Sequence, residues 1–380
     1  MKFEDIPGMG EVRKMLTEAV KTNHSAHAQL FVGTEGALNL PLALAYATYL
    51  HCENKGPDDA CGVCAACSKN AKFIHPDTHF VFPLSNVKGD KDEDRFKAEI
   101  TKSWRTFLLE QPFGNLDDWC NFYGGEDKLA IISKDASREI IKTLSLKPFE
   151  SKNKVMIIWQ PESMHPAAAN GILKILEEPS PNTYFILVTN AADQLMPTII
   201  SRTQIVTVPL IGDADLENYL SEKQNVPEAA AKKIVQLADG NINLALRLIG
   251  QEQEQDNSTT FFTEWMRACF AHKYGALVTM AEEYHALDKL SQRNMISYSI
   301  KMMRETLLHT SGAASINRTR GEELEFVHRF SKVLDVSKIE KSFQLLNDAG
   351  YHLERNGSAK MIFLDLSLNM AKVFKDGGPT

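Results

Sequence analysis

Short apolar runs alternate with amphipathic stretches over the first part of the chain, and the alternation then stops. Residues 30–32, 78–82, 129–132, 155–159, 184–189 and 204–208 have the length and the β-branched or aromatic content of buried strands. Helical periodicity fills the gaps between them, which predicts a parallel sheet with helices on both faces, an α/β domain over 1–208. From Asp213 onward no strand pattern occurs. Pro209-Leu210-Ile211-Gly212-Asp213 predicts a linker, and 216–222 and 228–238 predict the helices of a small unit over 209–250, with Pro227 at a first helical position. The polar stretch 250–258 lacks apolar periodicity and predicts a second linker. Beyond it, 261–272, 274–287, 292–310, 321–333, 338–354 and 359–374 are amphipathic and predict a helical bundle over 256–380. One segment breaks the rhythm of the first domain: 83–128 holds a highly charged run over 86–95, followed by an aromatic helix around Trp104-Arg105-Thr106-Phe107. A surface insertion with a solvated loop is the plainer reading of it, and a partner-docking element the sharper one.

Composition narrows the class. The 380 residues allow about two or three domains, and a hydrophobic content of 43% supplies their cores. No apolar run approaches the roughly 20 residues of a membrane span, and the start MKFEDIPGMG lacks a charged-then-apolar signal pattern. The expectation is a cytoplasmic protein with no membrane partner. A net charge of -7 disfavours a chain that grips nucleic acid by itself, because such binding comes mainly from Lys and Arg neutralising phosphates. Any DNA contact is then expected to come mainly through partner chains.

Candidate chemistry begins where the first strand ends. Leu30-Phe31-Val32-Gly33-Thr34-Glu35-Gly36-Ala37-Leu38-Asn39-Leu40 sits where a strand turns into a phosphate-binding loop, whose working form is GxxxxGK[ST]. Gly33 matches the first Gly, but Leu38 replaces the second, Asn39 the Lys and Leu40 the hydroxyl residue. Without these the backbone cannot wrap the phosphates, nothing neutralises the β and γ oxygens, and Mg²⁺ loses a ligand. Gly36 and the rest of the loop keep the setting of a nucleotide site without its parts. Val155-Met156-Ile157-Ile158-Trp159-Gln160 stands where a Walker B strand would end in Asp-Glu, and those two positions hold Trp159 and Gln160. ATP is therefore not expected in this chain's own site.

Cys52, Cys61, Cys64 and Cys67 crowd into a turn-rich segment with Gly56-Pro57 and Gly62. Four thiolates at such spacing match a closed tetrahedral site for structural Zn²⁺, whereas redox catalysis would use one CxxC at a helix start. A disulfide pairing is disfavoured in a cytoplasmic chain. His51 and His75 are substitute ligands should one cysteine not serve, although a nearby His is more often a surface residue. Cys120 and Cys269 lie among apolar neighbours and read as core residues.

Several motifs together resemble the bacterial clamp-loader AAA+ family. They are Asp5-Ile6-Pro7-Gly8, His27-Ala28-Gln29-Leu30-Phe31, the four-cysteine module, His75-Pro76-Asp77, the run from Asn170 through Ile175-Leu176-Glu177-Glu178-Pro179, and Ser201-Arg202-Thr203. The resemblance covers about residues 1–250, and the remainder fits the family's helical collar in length and pattern. It implies an AAA+ domain, a helical lid and a collar that joins a ring with tau or gamma and delta subunits. That ring places the sliding clamp on primed DNA using ATP. It further implies that Arg202, in the family's Ser-Arg-Cys motif with Thr203 in place of Cys, reaches with Ser201 toward a neighbouring subunit's ATP. In Gly240-Asn241-Ile242-Asn243-Leu244-Ala245-Leu246 the place of a phosphate-sensing lid Arg falls on Asn243, with Arg247 nearby. A non-catalytic subunit of the loader is the favoured expectation. An ATP-hydrolysing tau/gamma-type subunit would need the missing Lys and acids, and a zinc-bearing DNA-binding protein would need a basic face.

Overall fold

The computed structural model describes residues 1–85, 93–125, 129–145, 147–249, 252–287, 289–313, 319, 321–354 and 357–375. They form two compact units, Met1–Ile249 and Gly250–Thr380.

In chain order the first unit contains α1 (Gly10–Lys21), β1 (Ala28–Val32), α2 (Asn39–His51), α3 (Ala65–Asn70), β2 (Thr78–Val81), α4 (Glu93–Glu110), α5 (Leu116–Phe122), α6 (Lys134–Ser145), β3 (Lys154–Trp159), α7 (Pro166–Glu177), β4 (Thr183–Thr189), α8 (Pro197–Ile200), β5 (Gln204–Thr207), α9 (Asp213–Lys223), α10 (Glu228–Ala238) and α11 (Ile242–Arg247). The strands form one parallel sheet in the order β2-β3-β4-β1-β5, with Leu30 opposite both Leu187 and Ile205. Alternation along each strand feeds two cores, as the period of two dictates. Phe31, Ile157, Trp159, Ile186 and Val188 face one core with α1 and α2. Leu30, Met156, Ile158, Phe185 and Leu187 face the other with Ile140 of α6 and Ile172 and Leu176 of α7. All of α2 is buried, in keeping with its run of Leu, Ala and Tyr, and Pro41 falls in its first turn, where an N–H has no helical partner. Leu216, Leu220, Ala231, Ile234, Ile242 and Ala245 of α9 to α11 join the first of these cores.

The expected strand over 129–132 is corrected. Ile131 and Ile132 make isolated bridges to Leu84 and Met164 outside the five-stranded sheet. Leu129 is 84% exposed and Ile131 40%, so the run offers too few inward residues to hold a ladder. Of the charged run over 86–95, residues 86–92 lie outside the described residues. The aromatic helix expected after it is α4, and Trp104, Phe107 and Leu108 are buried.

The second unit is helical among the described residues: α12 (Glu252–Phe270), α13 (Tyr274–Ala286), α14 (Lys289–Thr310), α15 (Gly321–Phe330), α16 (Val336–Glu354) and α17 (Ala359–Lys375). The linker expected over 250–258 is corrected from Glu252 onward, where the backbone is already helical. Its Glu and Gln are good helix formers and extend the helix ahead of the apolar stripe of Phe262, Trp265, Met266 and Cys269. Residues 250 and 251 lie outside the described residues. Tyr284 stacks on Phe363 with ring centroids 4.3 Å apart, and the indole N–H of Trp265 donates to Ser367 Oγ at 2.8 Å. Burial pushes the Cys269 thiol up to about 12, as befits an inert core residue. Cys120 is also buried. No helix is long and apolar enough to cross a membrane among the described residues.

Candidate functional site

The loop after β1 is tied to the protein's own atoms at several points. Gly33 N–H donates to Thr189 O at 3.2 Å and Ala37 N–H to Thr34 O at 3.0 Å, so these amides face acceptors already. Asn39, in the lysine's place, is 3% exposed and donates through Nδ2 to Thr189 O at 2.8 Å. Leu38 and Leu40 are buried in the core. Gly36 has φ +85°, and a Cβ there would meet Asn241 Cγ at 2.2 Å, so the start of α11 rests directly on the loop.

The end of β3 is closed in the same way. Trp159 is 2% exposed and packs 5.1 Å from Trp104, ring centroid to ring centroid. Gln160, at φ 57°, donates through Nε2 to Asn190 Oδ1 at 3.0 Å, and Asn190 Nδ2 donates to Thr34 O at 2.8 Å. Asn190 N–H donates to Glu162 Oε1 at 3.2 Å. Burial raises the Glu162 carboxyl above its ordinary range, ahead of the hydrogen bonds that oppose the rise. Sequence reasoning gave no role to Asn190 or Glu162. The available signal was their place just past the ends of β4 and β3, where polar side chains meet the loop. What remains between the loop, Trp159, Phe113, Asn115, Asn241 and Asn243 is a cleft of about 30 Å³, room for about one or two waters. Asn243 and Arg247 of α11 turn to Asp118: Asn243 Nδ2 donates to Asp118 Oδ2 at 2.7 Å, and Arg247 pairs with Asp118 Oδ1.

Arg202 lies elsewhere. It follows α8 and precedes β5, whereas the loop follows β1, and β1 and β5 run parallel. The two therefore sit at opposite ends of the sheet, separated by a four-residue strand of about 13 Å. Arg202 Nε donates to Glu177 Oε1 at 2.7 Å and a terminal nitrogen to Thr198 O at 2.9 Å, while 29% of the side chain stays exposed. Glu177 is the last residue of α7, an end that favours a cation. Ser201 Oγ donates to Thr198 O at 3.2 Å, and Thr203 Oγ1 to Ile200 O at 3.1 Å, so both hydroxyls brace the turn that carries the guanidinium.

The four cysteines converge. Their sulfurs all lie within 4.8 Å of one another, with Cys61 and Cys67 Sγ 3.9 Å apart. A tetrahedral ion with metal–sulfur bonds of about 2.3 Å sets sulfurs roughly 3.8 Å apart, so the group is able to hold a metal ion and its chemistry is consistent with zinc. Cys52 caps α2 and Cys64 caps α3, and Cys61, Cys64 and Cys67 N–H groups point at sulfurs at 3.2 to 3.4 Å. Backbone N–H groups of Val63 and Cys64 pull the Cys61 thiol down to about 6, while burial pushes Cys52 and Cys67 up. Holding all four as thiolates therefore calls for a cation. Neither histidine joins the group among the described residues. The surface expectation for them is corrected: His51 and His75 are 4% and 3% exposed and stack with centroids 4.1 Å apart. Burial first, then His75, brings the His51 pKa down to about 3.

A family model described as "DNA polymerase III, delta subunit" matches residues 8–211, more than half of the chain. The chain belongs to this family. Among curated relatives of this DNA polymerase III family member, the subunit delta' of Pseudomonas aeruginosa is 28% identical over 227 residues, covering 60% of this chain and 56% of that protein. Subunit delta' of Bacillus subtilis is 28% identical over 220 residues, covering 58% of this chain and 53% of that one. Subunit gamma of Buchnera aphidicola subsp. Acyrthosiphon pisum is 25% identical over 252 residues, covering 65% and 57%. The chain thus spans little more than half the length of the curated relatives it matches.

Proposed function

We propose that this chain is a non-catalytic, delta prime-like subunit of a replicative clamp loader. It joins tau or gamma and delta subunits, meets the sliding clamp and primed DNA through that assembly in the cytoplasm, and hydrolyses no ATP of its own. In this reading 1–208 is the AAA+ domain, 209–250 the lid and 256–380 the collar.

One observation carries it: the cis loop is filled with protein groups, while Arg202, paired with Glu177, remains a partly exposed cation at the far end of the sheet. An arginine about 13 Å from its own loop serves no phosphate there, yet a neighbour in a ring can present one to it. Such an arginine offsets the charge developing on a transferred phosphoryl group and is worth about 10³ to 10⁵ in rate in GTPases. Ser201 and Thr203 position it. An ATP-hydrolysing tau/gamma-type role is disfavoured by Asn39, Leu40, Trp159 and Gln160, and a DNA-binding role by the net charge of -7.

In the cysteine module we assign Zn²⁺ to Cys52, Cys61, Cys64 and Cys67 as a structural ion. It would supply positive charge at the four sulfurs. The protein's own part is to aim the N–H groups of Cys61, Cys64 and Cys67 at them.

The test is clamp- and DNA-stimulated ATP hydrolysis by a loader reconstituted with cognate tau/gamma and delta subunits. An inert isolated chain, and an Arg202→Ala complex that assembles but turns over at least tenfold more slowly, are the expected results. Hydrolysis by the isolated chain, or full turnover with Arg202→Ala, would overturn the reading.

A further inference from the structure

The segment between β2 and α6 departs from an ordinary surface insertion because its residues reach each part of the dismantled nucleotide site. Asn115 Nδ2 donates to Glu35 Oε1 of the loop at 3.2 Å. At the end of β3, Trp104 and Phe107 pack on Trp159 with centroids 5.1 and 6.4 Å away. Toward the lid, the Phe113 ring meets Tyr219 of α9 edge-on at 5.7 Å, and its carbonyl accepts from Asn243 Nδ2 at 3.0 Å. Asp118 completes the set. Its carboxylate accepts from Arg247, from Asn243 Nδ2 at 2.7 Å and from Asn115 N–H at 2.9 Å.

We propose that residues 93–125 act as a built-in substitute for nucleotide, with the Asp118 carboxylate in the role of a phosphate, holding the lid helices α9 to α11 against the loop without any ligand. This rests on reading the loop as a former nucleotide site. Several features support it independently of one another. Asp118 and Arg247 are only 14% and 24% exposed, so the pair is shielded from water and salt in a way that a surface ion pair is not. An anion with three donors from two directions is the arrangement that loops and cationic lid residues offer a phosphate. The segment is itself fixed rather than adaptable: Asn115 and Asp118 form a reciprocal cap on α5, and the Trp119 indole N–H donates to Pro83 O at 2.9 Å. Its anchor is an aromatic cluster, in which Phe82 stacks on Trp104 at 4.3 Å and Trp119 meets Trp104 edge-on at 5.0 Å. Finally, Phe113, Gly114 and Asn115 line the remaining cleft together with Glu35, Gly36 and Asn39, so the segment forms one wall of the space beside the loop. The consequence is a lid whose position is set by the chain rather than by ATP. A ligand shifts an equilibrium only through differential affinity, and an internal ligand at fixed effective concentration leaves ATP little to shift.

Hydrogen exchange on the full chain, without partner subunits, tests this. Arg247→Ala and Asn243→Ala break the latch from the lid side and leave the α5 cap untouched. Asp118→Asn removes the charge from the other side. Lys232→Ala, which removes exposed ion pairs to Glu228 of α10 and Glu217 of α9, is the control for the loss of surface pairs, which contribute little. At least tenfold faster exchange across α9 to α11 is expected in the Arg247, Asn243 and Asp118 variants, with β1, β3 and β4 unchanged, no effect of Lys232→Ala and none of Mg-ATP on the unsubstituted chain. Unchanged lid exchange in Arg247→Ala overturns the proposal, as does lid protection gained by the unsubstituted chain on adding Mg-ATP. If Asp118→Asn melts α5, the lid-side variants alone decide. Because no partner is present, failure here leaves the trans-arginine reading standing, and failure of the Arg202 test leaves the latch standing.

Discussion

The two ends of α2 carry the two sites that look most like ligand sites, and they have opposite fates. At its start, the loop over 33–38 is held by the protein's own groups: Asn39, Thr189, Asn190 and Gln160 hydrogen-bond one another and the loop, and Leu38 and Leu40 fill the core. At its end, Cys52 opens a module in which N–H groups donate to sulfur, and the nearby Lys55 and N-terminal ammonium carry less positive charge than four thiolates would carry negative. The difference teaches when a site still needs its ligand. Neutral amides can satisfy one another inside a protein at little net cost, whereas four thiolates cannot.

Metal removal should have the largest effect. A chelator is expected to release one metal ion per chain and to abolish exchange protection over 52–67 while β1, β3 and β4 stay protected. Structural zinc in small peptides contributes on the order of 10 kcal/mol. A module that stays ordered without metal would erase the contrast with the loop. The complementary change at the other end is Asn39→Lys, which restores the motif's cation. With no phosphate to meet, the ammonium is buried unpaired, and urea unfolding should show a loss of about 2–4 kcal/mol with no gain in ATP binding. Restored ATP binding would mean the loop is merely one residue short of working. Gly36→Ala is smaller, about 1–3 kcal/mol, because it combines a positive φ with contact against Asn241. A neutral outcome would show that α11 does not rest on the loop in solution.

The smallest effect is a pH dependence. The Glu162 carboxyl is raised in the fold, so the folded chain holds its proton more tightly than the unfolded chain does. Its contribution is full below the ordinary carboxylate range and is lost as pH rises through the raised value. Relative to Glu162→Gln, the unsubstituted chain should therefore lose stability between about pH 4 and neutrality, read as a growing difference in urea midpoint. A constant difference across that range would place Glu162 in water.

Much of this was legible in the chain itself. β3 reads as a strand because Val155 to Trp159 is an unbroken apolar run, and all six residues of Lys154–Trp159 prove buried; the cysteine spacing likewise picks out a group able to hold a metal ion. Residues 129–132 misled because an apolar tetrapeptide looks the same whether or not a neighbouring strand is free to pair with it. Residues 252–258 misled because a helix turn without an apolar face carries no periodic signal, although its backbone bonds are the same. His51 and His75 read as surface residues because the stacking that buries them joins residues far apart in sequence.

By itself the sequence determined which side chains are available, since a Lys, a hydroxyl or a carboxylate is either encoded or not: Asn39, Leu40, Trp159, Gln160, Arg202 and the four cysteines. Tertiary structure decided what those positions do. Asn39 meets Thr189, Trp159 meets Trp104, and Asp118 meets Arg247 across separations of 129 to 150 residues for the two polar pairs. Such contacts depend on strand order and on the path of the 93–125 segment, and local sequence patterns carry no information about either.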